Sequence, residues 1–167
     1  MSQSPSILKH LRDIIILPFT VTVVVPWLIY NPLQTFIPYH PALLVLGIIT
    51  GAAGLTLFLY TVFLFKTIGK GTLAPWTPTQ KLVVTGPYRY CRNPMITGVF
   101  GILIGETLIL HSLNIAIWAG AFLLINTCFF IFYEEPSMEK RFGEDYRNYK
   151  RHVSRWVPRV TPYQQSA

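Results

Sequence analysis

From residue 14 to residue 65 the chain contains no Asp, Glu, Lys or Arg, and from 93 to 133 it contains only Glu106. Two such stretches do not fit inside a soluble domain. Soluble domains carry about 25% charged residues, whereas this chain is 13% charged and 51% hydrophobic. A helix that crosses the hydrocarbon core of a bilayer needs about 20 predominantly apolar residues, and each stretch has room for two. Asn31-Pro32 and Pro38-Tyr39-His40-Pro41 interrupt the first stretch, because proline cannot continue a helix and restricts the residue before it. His111-Ser112-Leu113-Asn114 interrupts the second. The pattern predicts spans at 13–31, 42–65, 95–112 and 114–133, with Pro18 and Pro26 kinking the first.

The basic residues test this layout. Lys9 and Arg12 precede the first span. Lys66, Lys70, Lys81, Arg89 and Arg92 lie between the second and third. Lys140, Arg141, Arg147, Lys150, Arg151, Arg155 and Arg159 follow the fourth, which accounts for all 14 Lys and Arg. Four crossings put every one of them on one side, and the positive-inside rule makes that side cytoplasmic, with both termini. The net charge of +7 then reflects anionic headgroups rather than nucleic acid, since no basic soluble domain is present. Cys91 and Cys128 fall in a cytoplasmic motif and in a span, which gives no disulfide framework. No Cys/His metal cluster, phosphate-binding loop or zinc signature occurs. No cleavage signal precedes the first span, so it is expected to stay as an anchor. The expected fold is an all-α integral membrane protein, one domain over 1–167, with about four transmembrane helices and a C-terminal interfacial amphipathic helix. The compact design without sorting signals points to a bacterial inner membrane.

A hairpin made of spans three and four returns its two ends to one membrane face, so segments 80–98 and 134–160 should meet there. In the first, 80–85 is short and extended in character, Gly86-Pro87 turns, and Tyr88, Arg89, Tyr90 and Arg92 lead to Asn93-Pro94. Pro94 suits a first helical turn and Asn93 its N-cap. Amides at such a helix start attract an anionic group. The competing reading of these Tyr and Arg residues is a headgroup belt. In the second segment, Pro136 disfavours helix at Glu135, so the helix should break and restart there. Met138, Phe142, Tyr146, Tyr149 and Val153 form one apolar stripe, with Lys140, Arg141, Arg147, Lys150 and Arg151 on other faces. Glu134 and Glu135 at a membrane boundary are costly unless partnered. Arg89 or Arg92 across the hairpin mouth are the candidate partners, in a functional site or a structural ion pair. Glu106, inside span three, faces the bundle interior or a wet cavity and reads first as structural.

These residues resemble a known family. Leu82-Val83-Val84-Thr85-Gly86-Pro87-Tyr88-Arg89-Tyr90-Cys91-Arg92-Asn93-Pro94-Met95-Ile96-Thr97-Gly98 is similar to the signature of the isoprenylcysteine carboxyl methyltransferase superfamily, which includes membrane phospholipid methyltransferases. Glu134-Glu135, Phe142-Gly143, Tyr146, Tyr149 and Val157-Pro158-Arg159 are similar to its C-terminal motif. The resemblance covers residues 80–162. It implies S-adenosylmethionine as methyl donor, held at the cytoplasmic end of the bundle by Gln80, Lys81, Leu82, Val83, Tyr88, Asn93, Pro94, Met95, Ile96 and Glu134. Arg92 and Glu135 are the candidate catalytic residues, orienting the site, with Glu135 the candidate proton acceptor for an amine or hydroxyl substrate. No metal is implied. The acceptor expected is a lipid-like or other apolar molecule from the bilayer, an isoprenylcysteine-like carboxyl group among the options. Three positions depart from the family: its His is Asn93, the following Tyr is Ile96, and an Arg facing the substrate carboxylate is Phe130. Asn keeps hydrogen-bonding capacity but cannot transfer a proton. Two other readings remain open, an NADPH-dependent membrane reductase of the related sterol-reductase type and a non-catalytic scaffold that keeps the fold.

Overall fold

Proline and glycine decide where these helices start, bend and touch. The computed structural model describes residues 15–33, 35, 38–69 and 81–164, and among them the regular elements are all helical, with one isolated bridge between Thr35 and Ser112. Helix α1 is π-helical over Ile15–Val24, with Pro18 inside, and α-helical over Val25–Ile29, with Pro26 in its first turn. The two prolines thus change the helix type rather than stopping it. Pro26 lacks the N–H that a π register would aim at the Val21 carbonyl. Trp118 Nε1 donates to that oxygen instead at 3.0 Å, and Asn114 Nδ2 donates to the Ile29 carbonyl at 2.9 Å. Both bonds tie α1 to the fourth helix.

Helix α2, Pro41–Leu64, begins at a proline and is capped by His40, whose Nδ1 accepts from the Ala42 N–H at 3.2 Å. It runs on as a π turn, Phe65–Gly69. Helix α3 is Pro94–Leu110 and α4 is Leu113–Phe129. The turn between them is two residues long. His111 adopts the left-handed conformation at φ 52°, and Ser112 accepts from the Ile115 N–H at 3.5 Å to start α4. So tight a turn makes α3 and α4 an antiparallel hairpin.

α2 and α3 approach backbone to backbone. A Cβ on Gly54 would lie 2.6 Å from the Gly98 carbonyl oxygen, one on Gly105 2.7 Å from the Gly51 Cα, and one on Gly47 2.9 Å from the Gly105 carbonyl oxygen. This is the small-residue packing by which apolar helices associate in lipid. The spacings Gly47-x-x-x-Gly51 and Gly101-x-x-x-Gly105 carry that signal in the sequence. Phe58, Val99, Leu103, Ala119 and Phe122 form the buried core joining α2, α3 and α4.

α4 continues without interruption through a π turn, Phe130–Glu134, into α5, Glu135–His152. The expected break at Pro136 is therefore absent: the wider π turn makes room for the proline ring. The break lies at Gly143 instead, where φ 55° and ψ −127° leave the helical region. The apolar stripe of α5 also differs from the expectation of a face left for the membrane interface. Tyr146, Tyr149 and Val153 are buried against Leu82, Val84 and Tyr163 of the protein itself.

The helix Pro41–Gly69 and the continuous helix Leu113–His152 are long and apolar enough to cross a membrane, and 17% of the most apolar part of each is buried. Val45, Ile49, Leu59, Phe63, Leu124 and Ile125 are all more than half exposed. Core helices of a soluble protein would bury such side chains; lipid covers them here. Pro18–Ile29 and α3 are shorter apolar helices.

Gly54→Ala and Gly105→Ala are each expected to cost about 1–3 kcal/mol by overpacking. Gly120, in α4, has nothing within 4 Å of a Cβ, so Gly120→Ala should be neutral or stabilising by up to about 1 kcal/mol. Thermal unfolding in detergent checks the contrast. Equal effects at the three positions would show that α2 and α3 are not in backbone contact.

Candidate functional site

The linker between α2 and α3 enters the site at Gly86. Its φ of +58° is a glycine conformation, and a Cβ there would crowd Tyr60 at 3.0 Å. The 3-10 turn Gly86–Arg89 follows. Before it the chain is extended, and its side chains alternate. Val83 is buried with Leu64 and Tyr88 on the α2 side, while Leu82 and Val84 pack on the α5 stripe. Lys81 is exposed. Gln80 lies outside the described residues. Tyr88 is buried and stacks on Phe65, with centroids 5.6 Å apart and planes at 15°. Its carbonyl accepts from the Tyr149 hydroxyl at 2.6 Å. The Tyr88 hydroxyl itself is buried without a hydrogen-bond partner among the described residues.

Residues 89–92 are held by the chain that follows α5. Arg92 N donates to the Ser154 carbonyl, Arg159 N to the Tyr90 carbonyl and Tyr163 N to the Arg89 carbonyl, each at 2.9 Å. Arg89 Nε donates to the Tyr163 carbonyl at 2.8 Å, so this arginine serves the strap and not the acidic pair. Asn93 stands at the N-cap of α3, as expected, but its side chain makes no capping bond. Its carbonyl accepts from Thr97 N and Oγ1, both at 3.1 Å. Pro94 is buried in the first turn, and Met95 and Ile96 pack against the central core.

Arg92 reaches the start of α5. Glu135 is 4% exposed, and cations surround its carboxylate. Oε1 accepts from Arg92 Nη1 at 2.9 Å and from Arg155 Nε and Nη2 at 2.9 and 2.7 Å. Oε2 faces Lys150 Nζ at 2.9 Å, and Lys150 also binds Glu139 at 2.9 Å. Arg92 Nη1 lies 3.4 Å from the Tyr146 hydroxyl. Burial alone pushes the Glu135 carboxyl up, but hydrogen bonds from Lys150 and Arg155 and the charge of Arg92 hold it below its ordinary range. Hydrogen bonds to Glu139 and Glu135 raise Lys150 in turn. Glu134, the last residue of the π turn, is half-buried. Burial raises its carboxyl, and Arg141 opposes this only in part. The two adjacent carboxyls are therefore pushed in opposite directions.

The structure thus pairs Arg92 with Glu135, packs Leu82 and Val83 on opposite sides of the linker, and seats Met95 and Ile96 in the core. It also adds two residues that sequence reasoning missed, Lys150 and Arg155. No local spacing announces them, because Gly143 and the chain reversal after Val153 bring them back to Glu135. The one available signal was the carboxylate itself, which needed more than a single cation to be buried.

Glu135→Gln leaves Arg92, Lys150 and Arg155 around a neutral amide and is expected to cost about 3–5 kcal/mol, the range for breaking a buried ion pair. A carboxyl held below its ordinary value of 4.5 contributes stability above that value and loses it as pH falls through the lower folded one. The melting temperatures of wild type and variant should therefore differ at neutral pH and converge as pH falls below the ordinary carboxyl value of 4.5. A constant gap there would show that Glu135 is not the titrating group.

A family model described as phospholipid methyltransferase matches residues 42–145, from the start of α2 to the middle of α5, and so takes in the Gly86–Arg89 turn, Arg92, Glu134 and Glu135. No curated protein and no solved structure gives a significant match to the chain. The matched region covers more than half of the 167 residues, and its exposed apolar helices are those of a membrane protein. The chain belongs to the phospholipid methyltransferase family and is an integral membrane protein of the methyltransferase type.

Proposed function

We propose that the protein transfers a methyl group from S-adenosylmethionine to a lipid-like acceptor, at the end of the α3–α4 hairpin where 80–98 meets 134–160. The family match over 42–145 carries this reading, because it takes in all of 80–98 and the second segment as far as residue 145. Methyltransferases of this family generally use that donor. The side chains fit such a ligand. The Tyr88 hydroxyl and the Arg92 Nε–H are buried without partners among the described residues, the Asn93 amide is not spent on capping, and the Glu134 carboxyl ends the π turn, next in sequence to the Glu135 that Arg92 binds. A donor with an amine, a carboxylate and ribose hydroxyls needs polar groups of these kinds.

Bound S-adenosylmethionine supplies the methyl group, activated on its sulfonium sulfur. The chain positions it and keeps water out, which are the main contributions a protein makes to such a transfer. Glu134 would pair with the donor's ammonium or ribose. Tyr88, one face of which is covered by Phe65, offers its hydroxyl. Of the residues the resemblance assigns to the donor, Lys81 and Asn93 would reach it with side chains, and Leu82, Val83, Pro94, Met95 and Ile96, whose side chains pack within the protein, would meet it through the backbone; Gln80 is assigned by the resemblance alone, and Arg92 with Glu135 would orient the site. Glu135 is not a proton acceptor, since both oxygens are held by cations. An amine or hydroxyl acceptor would lose its proton to Glu134; a carboxylate acceptor needs no base. Phe130 meets Trp156 edge-on at 6.1 Å, so the position where an Arg would face a substrate carboxylate is apolar, which favours a lipid-like acceptor entering from the bilayer. Four crossings with both termini cytoplasmic remain the topology that keeps every Lys and Arg on one side.

Equilibrium binding to the detergent-purified protein tests this reading, with NADPH as the control. S-adenosylmethionine should bind and NADPH should not. Glu134→Gln should weaken donor binding about tenfold or more, the effect of losing one charge-assisted hydrogen bond. Labelled methyl transfer should appear in lipid extracts rather than on farnesylcysteine analogues. Binding of NADPH alone would replace the reading with a reductase.

A further inference from the structure

Arg92 has more hydrogen-bonding capacity than the protein uses. Its side chain is 10% exposed, as enclosed as many core residues. Nη1 is committed to Glu135 and Tyr146 at 2.9 and 3.4 Å. Nε is buried and has no partner among the described residues. Folded proteins rarely leave a buried N–H donor unmatched without a reason, and a guanidinium is the donor least able to shed its charge.

The surrounding charge points the same way. Arg92, Lys150 and Arg155 face Glu135 and Glu139, which leaves the cluster one positive charge in excess. Glu135 cannot absorb that excess, because its two oxygens already meet four donor contacts. Arg155 shares Oε1 with Arg92 and Lys150 takes Oε2, so the guanidinium has one fixed anchor and its Nη1 is spent. What remains is the Nε edge, the side from which a guanidinium takes two oxygens of one carboxylate or phosphate at once.

We propose that the Nε edge of Arg92 binds a carboxylate or phosphate group of the ligand, with Glu135, Lys150 and Arg155 as positioning residues that hold the guanidinium in register. The choice of ligand rests on the methyltransferase reading. The anion is either the amino-acid carboxylate of the donor or the phosphate of an anionic lipid, and the two share the chemistry that Arg92 recognises.

The full chain in detergent, wild type against Arg92→Lys, is the test. Lysine keeps a cation beside Glu135 but cannot present two N–H groups side-on. Inorganic phosphate, compared with chloride at equal ionic strength, should raise the melting temperature of the wild type and not of the variant. S-adenosylmethionine should bind the wild type about tenfold more tightly than its decarboxylated analogue, with that preference lost in Arg92→Lys, if the donor supplies the anion. Saturable, Arg92-dependent binding of phosphatidylglycerol over phosphatidylcholine identifies the lipid as the source instead. A phosphate response that needs Arg92, in a protein that binds no S-adenosylmethionine, supports the anion point while removing the methyltransferase reading. Equal responses of wild type and Arg92→Lys in all three arms overturn the proposal, and melting of Arg92→Gln beside Arg92→Lys separates that result from a failure to fold.

Discussion

Helices surrounded by lipid gain nothing from the hydrophobic effect by meeting one another, so something else must align them. In this protein it is the absence of side chains. Along α2 and α3 the glycines at 47, 51, 54, 98, 101 and 105 let two backbones lie against each other, and dispersion acts over a long, close contact. That contact is antiparallel, with Gly54 opposite Gly98 and Gly47 opposite Gly105. It therefore sets the end of α2 beside the start of α3. Tyr60, Leu64 and Phe65 at that end receive Gly86 and Tyr88, and the linker that begins the site inherits its position from the glycine seam.

A second constraint closes the site from the other side. α5 is a continuation of the helix that begins at Leu113, so it would leave the bundle along the same axis unless something turned the chain back. Gly143 supplies the bend and Glu135 the anchor. One buried carboxylate collects Arg92 from the linker, Lys150 from the far part of α5 and Arg155 from the strap beyond it. These groups are distant in sequence, and the ion cluster joins them at a point. The backbone bonds between 89–92 and 154–163 then complete a strap over the linker. Ion pairs of this kind are weak sources of net stability but costly to break, which suits a device that fixes geometry.

The parts of this arrangement that could be read from sequence are those governed by period and polarity. Charge-free stretches gave helices, proline gave their starts, and the hairpin made the two motifs neighbours, with Arg89 or Arg92 as partner of the acidic pair; Arg92 takes that place and Arg89 binds the Tyr163 carbonyl. The misses have a common cause. Pro136 disfavours an α-helix, but a π turn accepts it, and the choice between the two depends on packing that a local rule does not contain. Gly143 looks like any glycine in an amphipathic pattern until its positive φ is seen. The stripe Met138, Phe142, Tyr146, Tyr149 and Val153 was legible as a face, yet nothing in its spacing says whether lipid or Leu82 and Val84 cover it. Lys150 and Arg155 belong to the same class, being defined by a long-range meeting.

The adjacent pair Glu134 and Glu135 shows how one dipeptide can yield two chemically different groups. Successive residues on a helix point about 100° apart, so only one of them can face the cluster of Arg92, Lys150 and Arg155. That one is held ionised, below the ordinary range, and its lone pairs are consumed. The other sits half-buried, where desolvation raises its carboxyl. Environments that drive neighbouring titratable groups apart are how a site separates a structural charge from a group able to exchange a proton or meet a ligand. The second glutamate is thereby fixed within the ion cluster, and the first keeps its carboxyl outside it. The protein's commitment of three cations to Glu135 is what keeps those roles from being interchangeable.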